Sequence, residues 1–546
     1  MKKILFIITL TTGLFGFQSC QKTELEVTNL NQPSLDVLNS ESGVIGYAKG
    51  FYKIGFGDQY VSSLDDGLGM GMLLIVQAFH EGMGDNVFVP WGNNSFKFAD
   101  NPISVTLDNG TKVLNPIGAG QKAELQLRND RAYGASNAFL PEWTYMYFLN
   151  NASNVLLSKV DATTFSGDAA TKKKVLQGWA YMWKGYAYAR IGSMYIAGVI
   201  TDKPNETNGN YVPNTAMVTE GIKYLDQAKT IFAGLSANEA FTSVMTNIIP
   251  GYMQTTAEFG AVTPAAIVKN INTFKARTIL VNKRTKDMTA ADWTTVLDAA
   301  NAGLGATDYP FLVKTYDDNS KSVIDKDWGS FGSYTAYNDT YKVSERFIQD
   351  FNPSDKRLEN NFELAASAIV NQRGRGITFG TRYELFDGGI GNGAYTYFHY
   401  DYGVDNFYIG GSYEENELMK AEALMNTSKI EEGLKLLDGV RKAQGAGLPA
   451  TVGVGLSKTQ ALEELRKERR IALFMRGLAF YDLRRMGYAD PVASGGGRKN
   501  AWVLDASGVL NTKATIDYSY MSYWDVPQNE IDFNASTSQT KLKGTY

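Results

Sequence analysis

Apolar residues recur at three- and four-residue steps along much of the chain, the spacing of a helix face. The pattern predicts helices over 42–56, 138–160, 169–197, 215–234, 264–284, 289–304, 340–351, 412–426, 428–444 and 457–487. In 169–197 the aromatics Trp179, Trp183, Tyr186, Tyr188 and Tyr195 leave few polar turns, which predicts a helix buried on both sides. Trp143, Trp179 and Trp183 sit at helical spacing and read as core. Thr289 precedes Ala-Ala-Asp-Trp, a helix start with a capping hydroxyl and an acid in the first turn. Short turns join 138–160 to 169–197, 264–284 to 289–304, and 412–426 to 428–444. Helix pairs of this kind, stacked side by side, build an α-solenoid of the tetratricopeptide type, although no strict period of about 34 residues is visible.

Between the helices lie four long stretches without a helical pattern, about 57–137, 305–340, 353–411 and 488–546. Loops of this length inside a domain are usually functional or inserted. These are rich in Trp, Tyr and Phe, unlike a disordered linker.

The first twenty residues, MKKILFIITLTTGLFGFQSC, have a basic start at Lys2 and Lys3 and an apolar run from Ile4 to Phe17. That run is short for a bilayer span and suits a secretory leader. It ends beside Cys20, the only cysteine in the chain. Coincidence of a leader with a lone cysteine predicts a lipoprotein: residues 1–19 are removed, Cys20 carries the lipid, and 20–40 form a polar tether. Residues 41–546 then form a single domain with the long stretches as insertions. No later stretch is long and apolar enough to span a membrane.

Composition narrows the chemistry. The 546 residues are 44% hydrophobic, enough for a large core, and the net charge of −4 provides no basic field for nucleic acid. His80 and His399 are the only histidines, which together with a single cysteine leaves little for zinc sites or histidine-based triads. No phosphate-loop or nucleophile-elbow motif occurs. A glycosidase needs only two carboxylates, and no stretch singles out such a pair.

The stretch RKERRIALFMRGLAFYDLRRMG, 466–487, mixes arginines with large apolar residues on all sides. A nucleic-acid or membrane-surface helix would segregate them. The stretch therefore reads as a core helix whose arginines clamp neighbouring carboxylates and carbonyls. It resembles the C-terminal signature helix of the SusD/RagB family of outer-membrane nutrient-binding lipoproteins, through Glu468, Arg469, Arg470, Leu473, Met475, Gly477, Tyr481, Asp482, Leu483, Arg484 and Arg485. Ala472 and Arg476 stand where that family usually has glutamates. Other segments resemble the family in the same order: GWAYMWKGYAYARIGSMYIAGVI, then NPSDKR with Asp355 and Arg357, a helix pair with Glu417, Glu422 and Arg441, and the closing WDVPQNEIDFN.

The resemblance implies a mostly α fold: four tetratricopeptide-like units and a loop-rich half that carries the ligand site. It implies a non-enzymatic, lipid-anchored, cell-surface protein that passes oligosaccharide to a SusC-like TonB-dependent transporter. Capture of peptide or another nutrient by the same lid, a carbohydrate-active enzyme and a pure helical scaffold are the alternatives. Sugar sites combine flat aromatics with planar polar side chains. On that ground the expected ligand residues are Trp91 and Trp328 as stacking platforms, Tyr334 and Tyr337 beside them, and Asn93 and Asn94 as hydrogen-bonders. No cofactor is expected; a structural calcium on a loop stays open.

Overall fold

The structure is a computed structural model that describes residues 35–49, 51, 72–88, 95–117, 119–249, 262–308, 312–314, 342–398 and 406–544. Its longer helices are α1 (Glu41–Lys49), α2 (Met72–Met83), α3 (Gln121–Arg128), α4 (Leu140–Val160), α5 (Ala169–Met194), α6 (Asn214–Ala233), α7 (Glu239–Ile248), α8 (Pro264–Val281), α9 (Ala290–Asn301), α10 (Tyr413–Asn426), α11 (Ile430–Ala443), α12 (Lys458–Ala472) and α13 (Ala479–Arg485). Many begin on a polar cap written in the sequence. Asp168, Thr263, Ser412 and Ser457 each accept a backbone N–H of the first turn, and Thr289 with Asp292 closes a capping box on α9.

The predicted pairs exist as α4/α5, α8/α9 and α10/α11, and α6 packs between α5 and α8. α5 is buried almost all round from Val175 to Met194. Its contact with α6 is close because two glycines meet there. A Cβ on Gly221 would come within 2.6 Å of the Ala189 nitrogen, and one on Gly185 within 2.7 Å of the Leu225 nitrogen. Trp143, Trp179 and Trp183 are in the core as expected.

The family-matching residues bind the last helices together through buried charge. Arg357, after the turn at Asp355, reaches Glu468 on α12 (2.6 Å), which Arg441 of α11 also holds (2.9 Å). On α13, Arg485 pairs with Glu422 of α10 (2.6 Å) and Arg484 donates to the carbonyls of Ser193, Val281 and Ser522. The clamping role read for these arginines is thus what they do.

Strands form the other half. β2 (Ser104–Thr106), β3 (Lys112–Leu114), β11 (Arg498–Leu504) and β12 (Leu510–Asp517) make an antiparallel sheet in the order β11-β12-β2-β3. β8 (Phe362–Ile369) and β9 (Thr381–Leu385) form a hairpin, and β4 (Ala197–Val199) pairs with β5 (Tyr211–Pro213). Two short ladders complete the set: β1 (Val87–Phe88) with β7 (Lys342–Val343), and β6 (Leu312–Lys314) with β10 (Asn406–Tyr408).

Several expectations need correction. The helix predicted over 457–487 is two helices, because Met475 (φ 60°) and Gly477 (φ 67°) turn left-handed between them. Residues 340–351 hold strand β7 and only four helical residues, Glu345–Ile348. The stretch read as irregular over 57–137 contains α2 and α3, and α7 carries no predicted counterpart. Within the expected tether, Leu35–Asn39 forms a 3-10 turn with Leu38 buried.

Candidate functional site

The turn between α12 and α13 organises the loop-rich half. Gly477 lies so close to α2 that a Cβ would sit 2.8 Å from the Gln77 side chain. Its N–H donates to Glu81 (2.9 Å), which also accepts the Asn86 amide (2.8 Å). Glu81 is fully buried, and desolvation pushes its carboxyl up to about 7 against these hydrogen bonds. Phe474 stacks on Phe347 at 4.3 Å. Arg476, in a position usual for glutamate, places its guanidinium 3.5 Å over the Tyr408 ring and reaches Glu414 at 3.4 Å. The unexpected charge is thereby given an aromatic and an acidic partner.

Arg470 fixes the approach to β1 and the exit from β7 at once. Its Nε donates to Asn86 (2.9 Å), Nη2 to the Asp85 carbonyl (2.7 Å) and Nη1 to the Arg346 carbonyl (3.0 Å). Asp85, itself left-handed at φ 60°, pairs with Arg346 at 2.7 Å and accepts the Tyr518 hydroxyl. Ser344 returns a backbone N–H to the Asn86 carbonyl (3.0 Å) and its hydroxyl to that of Asp85 (2.6 Å). Asp85, Asn86 and Phe88 are therefore buried framework rather than ligand contacts. His80 is equally buried, edge-on to Tyr481 at 4.5 Å, and burial lowers its imidazole pKa.

This framework sets the two ladders. Val87 pairs with Val343 and Phe88 with Lys342, so the chain enters 89–94 and leaves 315–341 at the same end of one ribbon. Lys314 pairs with Asn406, so 315–341 begins where 399–405 ends. The expected ligand residues Trp91, Asn93, Asn94, Trp328, Tyr334 and Tyr337 lie outside the described residues, as do Cys20 and His399. What the structure brings together is the roots of the stretches that carry them. The sequence reading missed Arg470, Glu81, Arg346 and Tyr408 as the parts that hold those roots. Among the described residues no cluster of three or more His, Cys, Asp or Glu could hold a metal ion.

A helical-repeat scaffold, joined through buried arginines to a strand-and-loop half, is the class of protein that this fold defines. Residues 282–542 match the model of the SusD family. Among solved structures it is similar to a SusD-like carbohydrate binding protein from Bacteroides fragilis (15% identity, TM-score 0.56, covering 91% of this chain and 99% of that one). It is also similar to a SusD-like carbohydrate binding protein from Bacteroides vulgatus (13%, 0.52, 93% and 98%) and to a SusD homolog from Bacteroides thetaiotaomicron (13%, 0.56, 91% and 97%). At these identities the likeness is one of fold. No curated protein matches the chain.

Proposed function

We propose that this protein is a cell-surface glycan-binding lipoprotein, anchored in the outer membrane through Cys20, that delivers oligosaccharide to a SusC-like TonB-dependent transporter without chemically changing it. One observation carries the reading: β1–β7 and β6–β10 root the Trp91 and Trp328 stretches at shared ribbon ends. The match of 282–542 to the SusD family model and solved structures described as carbohydrate binding support it. Trp91 and Trp328 are assigned the sugar faces, Tyr334 and Tyr337 flank them, and Asn93 and Asn94 meet hydroxyls. The reading requires no cofactor.

Calorimetric titration of the chain against plant, host and microbial oligosaccharides tests it. Saturable binding is expected, weakened about tenfold or more by Trp91→Ala and by Trp328→Ala while circular dichroism stays unchanged. Binding that survives both changes discards these platforms; binding of peptides but no glycan discards the cargo.

A further inference from the structure

A cavity of about 310 Å³ opens between α12, α13 and the start of β11. Five cations line it: Arg466, Lys467, Arg470, Arg498 and Lys499. Of the three carboxylates in its wall, Asp482 is already matched from behind by Arg469 (2.8 Å) and Arg485 (2.7 Å). That leaves Asp350 and Glu463 in the wall, with Glu464 behind it at Lys467, for five cations. Asp350 is buried and takes Arg466 (2.8 Å), Arg470 and Arg498 (3.0 Å) together, while Glu463 shares Arg466 (2.7 Å). Burial, with Arg498 and Arg466 nearby, holds the Arg470 guanidinium below its ordinary value despite Asp350 and Asp85. The cluster is over-supplied with positive charge.

Not all of its donors are spent. Arg470 uses every nitrogen, but among the described residues Arg498 makes its bonds through Nη2 alone, to Asp350, the Arg346 carbonyl and Gln349. Among the described residues Lys467 pairs with Glu464 alone, at 3.6 Å, and Lys499 is exposed.

The strand beside the cavity is built to present these groups. Between Arg498↔Ile516 and Ala501↔Ala514, β11 gains one residue on β12. This bulge contains Lys499 and Asn500, and Asn500 is left-handed at φ 51°. Gln349 clamps it from both sides, donating to the Asn500 carbonyl (2.5 Å) and accepting the Trp502 N–H (3.1 Å). Leu483, Met486 and Tyr488 add apolar surface to the same lining. A simple inorganic anion has no use for such a wall, whereas a sugar ring has an apolar face to set on it.

We propose that this cavity is a second binding site and that it takes an acidic sugar unit, a hexuronate. The carboxylate lies on Arg498 and between Lys467 and Lys499, and the ring lies along Leu483 and Met486. This rests on the reading of the chain as a glycan binder but not on the Trp91 and Trp328 platforms.

The test is calorimetry on the purified chain with galacturonate, galactose, inorganic phosphate and the neutral oligosaccharides of the panel. The variants are Lys467→Gln/Lys499→Gln and Trp91→Ala, with melting temperature as the check on folding. Galacturonate is expected to bind at least about tenfold more tightly than galactose or phosphate, to lose about tenfold in the double lysine variant, and to be indifferent to Trp91→Ala. Neutral oligosaccharides should show the reverse pattern. Equal binding of galactose, binding of phosphate as tight as galacturonate, or galacturonate binding untouched by the lysine changes overturns the proposal. Galacturonate binding with no neutral ligand found sinks the aromatic platforms and leaves this cavity standing.

Discussion

Two buried carboxylates have opposite fates according to their neighbours. Asp350 faces three arginines and is held well below the usual carboxylate range despite its burial. Among the described residues Glu81 has only neutral donors at hydrogen-bond range, and desolvation raises it to about 7 from about 4.5. Between roughly pH 4.5 and 7 the folded protein keeps a proton that the unfolded chain has lost. Glu81 therefore subtracts stability as pH rises across that window and subtracts no more above it. His80, with its pKa lowered by burial, works in the other direction below about pH 6.5, so the difference between two proteins is the useful readout. In Glu81→Gln the amide oxygen still accepts from Gly477 or Asn86. The variant should gain on the native protein by up to about 3 kcal/mol between pH 4.5 and pH 7.5, followed by denaturant melts at each pH. A constant difference across that range would refute the assignment.

Among the elements, the contact of α5 with α6 depends on Gly185 and Gly221. Alanine at 221 ought to favour the helix by about 1 kcal/mol on propensity alone. The backbone of Ala189 stands in the way of its methyl group, so Gly221→Ala should instead lower stability by about 1–3 kcal/mol, seen as a lower melting temperature with unchanged helical dichroism. The helix pairs were legible in the sequence because apolar spacing, polar caps and short turns coincide there. Other elements were not. α2 is the apolar run MLLIVQAFHEGM, which periodicity alone does not separate from a buried strand. In β11 the bulge interrupts the alternation that would have marked a strand. β1, β6, β7 and β10 have two or three residues each, too few for any period. The break in 457–487 has one visible sign, Gly477, since nothing in Met475 announces a left-handed backbone.

For the whole molecule, the resemblance to the SusD family was readable from the closing helix and its partners, while the proposed ligand site was readable only as a set of residue types. Trp and Asn in a long stretch suggest sugar contacts, but the roots of the two stretches are joined by a ladder between residues some 250 positions apart, such as Val87 and Val343, which no local pattern shows. Membrane attachment is equally a property of the entire chain. Among the described residues no helix is long and apolar enough to cross a bilayer, and the proposed anchor is Cys20 alone. Cys20→Ala should move the protein out of the membrane fraction and abolish labelling by a radiolabelled fatty acid, without changing glycan affinity of the purified protein. The ladders have one more consequence. Both are held by main-chain hydrogen bonds, which are indifferent to the identity of the side chains along them. The side chains of the paired residues, from Val87 and Val343 to Lys314 and Asn406, are therefore free to drift in evolution without the pairing itself being lost, so long as the backbone can still make its bonds.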